Sequence, residues 1–312
     1  MSKMIPDLII SKKETKILIN KLDLNSPVEI TEEDYIKVFG DRTLKSLLLQ
    51  AMEESNHFDM GKRKIKTNTG IKQIVGCVLE NFIVGLMGID LTTKKNLFEW
   101  CTGITYHTFK EGMYGYDNFI SLLFAVKVVG RASKLTKIHQ PDLFSTSDAH
   151  DIEFYIPDLN RHNKLTPLGG LQVKALQGNE KVRIVEPLLK KKYKCVLTLL
   201  KDEKHVHSYE RCSDILYDLY KKGEIDTSDY LEFTRRIKKP NQVGIPQRLI
   251  NDIYTLLLKL ENDGLKILDK DGNVLSNKEF LVSGLITAMY TLDQGESLII
   301  TESEENNNFT IN

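Results

Sequence analysis

Neither sign of charge prevails in this chain of 312 residues, where 43 basic side chains meet 43 acidic ones. That balance excludes a non-specific coat for nucleic acid, which needs a strong basic excess, but leaves room for a local basic face. Cysteine is scarce. The four cysteines, Cys77, Cys101, Cys195 and Cys212, show no CxxC or other ligand spacing. Their scatter argues against a zinc ribbon or a disulfide scaffold and predicts reduced thiols in a cytoplasmic protein. No basic, then apolar, then small-residue leader opens the chain, so secretion is not expected. No solenoid-period repeat occurs, and no phosphate loop, dinucleotide fingerprint, HExxH or GxSxG pattern is present. The longest apolar run, Gln73 to Ile89, holds Gln73, Glu80 and Asn81 and is short and polar for a membrane span.

What is there reads as an ordinary globular protein, 41% hydrophobic and 28% charged. From Thr31 to Glu54 an apolar stripe of Tyr35, Val38, Leu44, Leu47 and Leu48 predicts a helix, with Thr31 and Asp34 approximating a capping box. A basic linker, KRKIKTNTG, leads to a second helix over 71–88. Residues 94–136 are expected to be mostly helical. After Gln140-Pro141 the texture turns to strands: Asp151 to Ile156, Leu171 to Leu176 and Tyr193 to Leu200, the last central because it is nearly all apolar. Asn160 to Gly170 is expected to be loop. Helices are predicted at about 213–222 and 247–261. Asp271-Gly272, between Lys266-Ile267-Leu268 and Asn273-Val274-Leu275, predicts a hairpin. The acidic, asparagine-rich TESEENNNFTIN should fray.

One constellation carries chemistry. Side chains alternate across a strand, so Gln172 and Lys174 share the face opposite Leu171, Val173 and Ala175. In DIEFYI, Asp151 and Glu153 oppose Ile152, Phe154 and Ile156. If the two runs pair, Asp151, Gln172 and Lys174 converge. Glu80 is the only charged residue between Lys72 and Asp90, and a carboxylate on so apolar a helix needs a cation, a metal or donors if buried. The bland readings are a wet helix edge for Glu80 and a solvated edge strand for QVK. Asp148 competes with Asp151 for the ligand role. His205-x-His207 lacks a third metal ligand and reads as a polar strand end. Tyr106, His107 and Tyr114 read as packing residues or as base-stacking surfaces.

Helix-borne Glu80, then Asp151 opening a strand, then Gln172-x-Lys174 in the next strand resembles the PD-(D/E)xK nuclease superfamily. The glutamine form of the motif is similar to that of Mrr-like restriction endonucleases. The resemblance covers roughly residues 70–202. It implies an α/β fold, a restriction-endonuclease-like core of a small mixed sheet flanked by helices, with a helical insertion and N- and C-terminal additions. The expected divisions are a helical region over 1–65, a core over 66–222 with its insertion at about 92–140, and a helix-plus-hairpin module over 223–312. By the resemblance, Asp151, Glu80 and Gln172 hold Mg²⁺, with Mn²⁺ as the substitute ion, and Lys174 is the catalytic lysine. The implied activity is endonucleolytic cleavage of DNA by a homodimer that engages no membrane. Three basic clusters are candidates for phosphate contact or plain solvated surface: Lys62-Arg63-Lys64, Lys190-Lys191-Lys192 and Arg235-Arg236. The competing expectation is a non-catalytic nucleic-acid-binding or regulatory protein retaining this core.

Overall fold

A computed structural model describes residues 50–59, 71–146, 149–157, 164–202 and 204–262, with 47, 48, 64 and 65 and the strand pieces at 267–268, 274–275, 300–302 and 309–311. The helix expected from Thr31 is described at 47, 48 and 50–54 only. Its capping box, and Asp148, lie outside the described residues.

The helix that carries Glu80, α1 (Ile71–Ile89), buries Ile74, Val75, Val78, Leu79, Phe82, Ile83, Leu86 and Met87. That spacing is a wide helical stripe, and it demands cover on more than one side. Among the described residues, Lys72–Ile89 is the one stretch long and apolar enough to cross a membrane by length and composition. Here its stripe is spent on the protein's own core. Asp90 stops the helix and starts the next, α2 (Leu91–Thr102), by accepting from the Thr92 amide at 2.9 Å and the Thr93 hydroxyl at 2.5 Å.

Next come α3 (Phe119–Ala125), β1 (Lys127–Gly130), α4 (Lys134–His139), β2 (Ile152–Pro157) and β3 (Leu165–Lys174). A π-turn over Lys181–Val185 runs into α5 (Glu186–Leu189), which carries Pro187 in its first turn, where the missing amide costs nothing. Then follow β4 (Val196–Thr198), α6 (Ser208–Lys221), α7 (Thr227–Arg235), β5 (Ile237–Lys238) and α8 (Gln247–Asn262). The strands form one five-stranded mixed sheet in the order β1-β2-β3-β4-β5. The first three are antiparallel, with Ile152 opposite Leu171 and Glu153 opposite Gly170; β4 and β5 run parallel to β3. The fold is therefore α/β, a small mixed sheet with helices on both faces.

Two clusters divide the apolar residues by strand parity. Ile152, Phe154, Ile156, Leu171, Val173 and Leu197 face α1, α2 and α8, where Phe98 meets Phe154 edge-on at 5.7 Å. Val196 and Ile237 face the opposite way, toward Leu188, Cys212, Leu216 and Phe233. All four cysteines are free thiols.

Several expectations need correction. The segment expected to be mostly helical contains β1, the first strand of the sheet: KVVG is too short to show a period, and its pairing with β2 decides it. Leu165 to Gly170 is strand, not loop, because β2 offers it a full antiparallel ladder. Helix α6 begins at Ser208 because the His207 side chain caps it, accepting from the Tyr209 amide at 3.0 Å. The packed core also continues past residue 222: β5 completes the sheet, and Ile250, Ile253 and Leu257 of α8 join the cluster around α1. Beyond α8, Ile267–Leu268 and Val274–Leu275 pair as the expected hairpin. The terminal stretch expected to fray instead pairs Ile300–Glu302 with Phe309–Ile311.

Candidate functional site

Antiparallel pairing places the start of β2 beside the end of β3, and the polar positions of both strands meet there. Asp151 Oδ2 accepts from the Val173 amide at 2.8 Å and also from Gln172 Nε2. Lys174, on the same face as Gln172, sets Nζ over the Tyr193 ring at 5.3 Å. From the other layer, α1 brings Glu80 to the same place. A cleft of about 810 Å³ is lined by Glu80, Asp151 and Lys174 together. Three residues from separate elements, far apart in sequence, thus share one cavity wall.

Electrostatics binds them into a unit. Burial pushes the Glu80 carboxyl well above its ordinary value, the Asp151 charge pushes it further, and Lys174 partly offsets both. Burial likewise raises Asp151, against the pull of Lys174 and the hydrogen bonds from Val173 and Gln172. Burial lowers the Lys174 amine; the two carboxylates oppose that shift, and the nearby Lys192 and Arg183 charges add to it. By exposed area Glu80 is only half-buried, but its carboxyl lies where desolvation dominates. Glu80, Asp151 and Lys174 line the cleft together, so two carboxyls and an amine meet at one wall. A hard divalent cation is the species that such a pair accommodates. Among the described residues no group of three His, Cys, Asp or Glu side chains assembles. The donors that Glu80 and Asp151 offer are carboxyl oxygens.

Gln172 is the third expected metal ligand. Its amide nitrogen is turned to Asp151, and its Oε1 is buried without a hydrogen-bond partner. Gln172 does not line the cleft; Val173 does. It reaches the site through Asp151, fixing which carboxylate oxygen stays available.

Residues that sequence reasoning did not single out complete the cavity. His150 lines it with Nδ1 on Glu153 Oε1 at 2.9 Å, and Arg131 Nη1 holds the other oxygen of Glu153 at 2.7 Å. The Glu153 carboxyl stays low: burial alone would raise it, but hydrogen bonds from His150 and Tyr155 and the Arg131 charge outweigh that. Gly170 makes this arrangement fit. A Cβ there would lie 2.6 Å from Ile152 O and 2.8 Å from both Glu153 Cγ and His150 Cγ. Tyr254 of α8 donates to Gln177 Oε1 at 2.8 Å across the cleft wall, and Lys72, Lys137 and Arg183 contribute cations.

The expected phosphate-binding clusters fare differently. Lys62 and Arg63, and the side chain of Lys64, lie outside the described residues. Lys190, Lys191 and Lys192 are exposed, and of these Lys192 is close enough to act on Lys174. Arg235 and Arg236 do not join the cleft. They line a separate hollow of about 400 Å³ with Trp100 and Leu231. Arg236 is paired with Glu232 one helical turn back, and Lys239 with Glu210 at 2.5 Å. Tyr106 and Tyr114 are substantially exposed and so are not core residues. Comparisons with protein-family models, curated proteins and solved structures find no match to this chain.

Proposed function

We propose that this cleft hydrolyses phosphodiester bonds in nucleic acid with Mg²⁺, on a core like that of the restriction-type PD-(D/E)xK nucleases. The observation that carries the reading is the convergence of Glu80, Asp151 and Lys174 in one desolvated cavity, with both carboxyls pushed up. In isolation that arrangement is unfavourable, since buried like charges repel. A site that keeps it has a use for negative charge.

Glu80 and Asp151 would hold the ion, and Gln172 and the Val173 amide would keep Asp151 Oδ2 in place. When bound, the ion would activate water and offset the charge that builds on the phosphate. Lys174 Nζ holds the attacking water and accepts its proton more readily than a surface lysine would, because burial lowers the amine. Arg183 and Lys192 grip the phosphate oxygens. Mn²⁺ would replace Mg²⁺, because both take oxygen donors.

A second reading, nucleic-acid binding without turnover, draws on Gln172, which brings no charge, and on the lack of a third acidic ligand among the described residues. Incubating single- and double-stranded DNA and RNA with the protein in Mg²⁺ or EDTA separates the two. Cleavage in Mg²⁺, abolished by EDTA and by Lys174→Ala, is the expected result. Binding with no cleavage of any substrate in Mg²⁺ would leave the second reading standing.

A further inference from the structure

The cleft's construction also bears on which form of nucleic acid it takes, an inference that rests on the nuclease reading for its cleavage arm alone. Glu80 and Asp151, both partly buried, line the wall of the cleft. Separate parts of the chain line the cleft with them, among them Ser55 to His57, Lys137, Phe144 and Tyr254. A duplex presents its phosphates on a broad convex cylinder, whereas a single strand can bend its backbone into a recess. The cations follow the same geometry. The Arg235-Arg236 pair that could have extended a duplex-wide track lies in another hollow, with Arg236 already ion-paired.

What the cleft has instead is an aromatic ring covered by a mobile cation. Phe144 lines it, half-buried, held by its amide on Pro141 O at 3.1 Å, and Lys137 Nζ stands over the ring at 5.5 Å. An aromatic face next to a cation, in a groove with two more cations at Lys72 and Arg183, is what sequence-tolerant binding of unpaired nucleotides uses. We propose that the cleft accepts a single-stranded polynucleotide, one base displacing the exposed Lys137 side chain from the Phe144 ring while Lys137, Lys72 and Arg183 take successive phosphates.

Fluorescence anisotropy on the full chain tests this, with Ca²⁺ in place of Mg²⁺ so that binding is read without turnover. The probes are a fluorescein-labelled oligothymidine of about a dozen nucleotides and the same strand in a blunt duplex. The single strand should bind about tenfold tighter or more, with a log Kd against log salt dependence corresponding to roughly two to three released ions. Phe144→Leu, which keeps apolar bulk, should weaken single-strand binding about tenfold, and Phe144→Tyr should restore it. Equal or tighter binding of duplex overturns the proposal, as does unchanged single-strand binding by Phe144→Leu. The two readings fail separately. A single strand bound through Phe144 but never cut in Mg²⁺ removes the nuclease reading and leaves this one. Mg²⁺-dependent cutting of duplex in preference to single strand does the reverse.

Discussion

Replacing Glu80 by glutamine should make the metal-free protein more stable while it disables the site. The carboxyl sits well above its ordinary value of 4.5 because burial and Asp151 both disfavour its charge. A folded-state value above the unfolded one means that the folded protein binds the extra proton. That contribution is fully present below about pH 4.5 and is lost as pH rises toward the folded-state value. As pH rises above about 4.5 the wild type therefore bears a growing cost, of charging the buried carboxyl or of holding its proton, that the amide lacks. Removing the penalty of one such charged group is worth about 1–3 kcal/mol. With a core of this size, each kilocalorie moves the melting temperature by roughly 2–4 °C. Thermal melts in EDTA at a series of pH values would show Glu80→Gln melting higher, with the gap widening as pH rises. Adding Mg²⁺ should invert the order. An ion at about a thousand times its Kd stabilises the wild type by about 4.1 kcal/mol, and the variant, short of one ligand, should gain far less. If Glu80→Gln melts below wild type in EDTA at neutral pH, or shifts with Mg²⁺ as much as wild type does, the reasoning is wrong.

Three further outcomes follow from particular contacts. Gly170→Ala must displace Ile152 O or the His150–Glu153 pair, so urea unfolding should show a loss of about 1–3 kcal/mol or more. Phe98→Ala empties a site packed against Phe119 and Phe154 and should cost about 3–5 kcal/mol in the same assay. Gln172→Leu leaves Asp151 without its side-chain donor; steady-state cleavage should show about a 10–100-fold weaker Mg²⁺ requirement constant with the fold intact.

The legible parts of this protein were those with a local period. The alternation in DIEFYI and LQVKA fixed which side chains share a face, and the isolation of Glu80 in an apolar helix flagged it, because both signals lie within one element. Elements defined by their neighbours were not legible. Strand β1 has four residues and β5 has two, too few to show a period, and only pairing makes them strands. The cleft's remaining residues come from distant elements: Lys137 is within α4 and Phe144 follows it, Arg183 sits in a π-turn and Tyr254 is on α8. No spacing links them. Runs of basic residues misled in one case. Arg236 has Glu232 four positions earlier, so the helical i,i+4 rule already offered it a partner. The role of Gln172 was hidden for another reason, since an amide either ligates or positions and only its hydrogen bond to Asp151 distinguishes the two.

The central claim is that Glu80 and Asp151 hold a divalent ion between them. Titrating Mn²⁺ into the metal-free protein and counting bound ions by electron paramagnetic resonance tests it most directly. The account predicts Mn²⁺ bound by wild type, displaced by excess Mg²⁺, retained by Lys174→Ala and lost in Asp151→Asn and Glu80→Gln. Equal Mn²⁺ binding by wild type and by both carboxylate variants, or none by any of them, would contradict it.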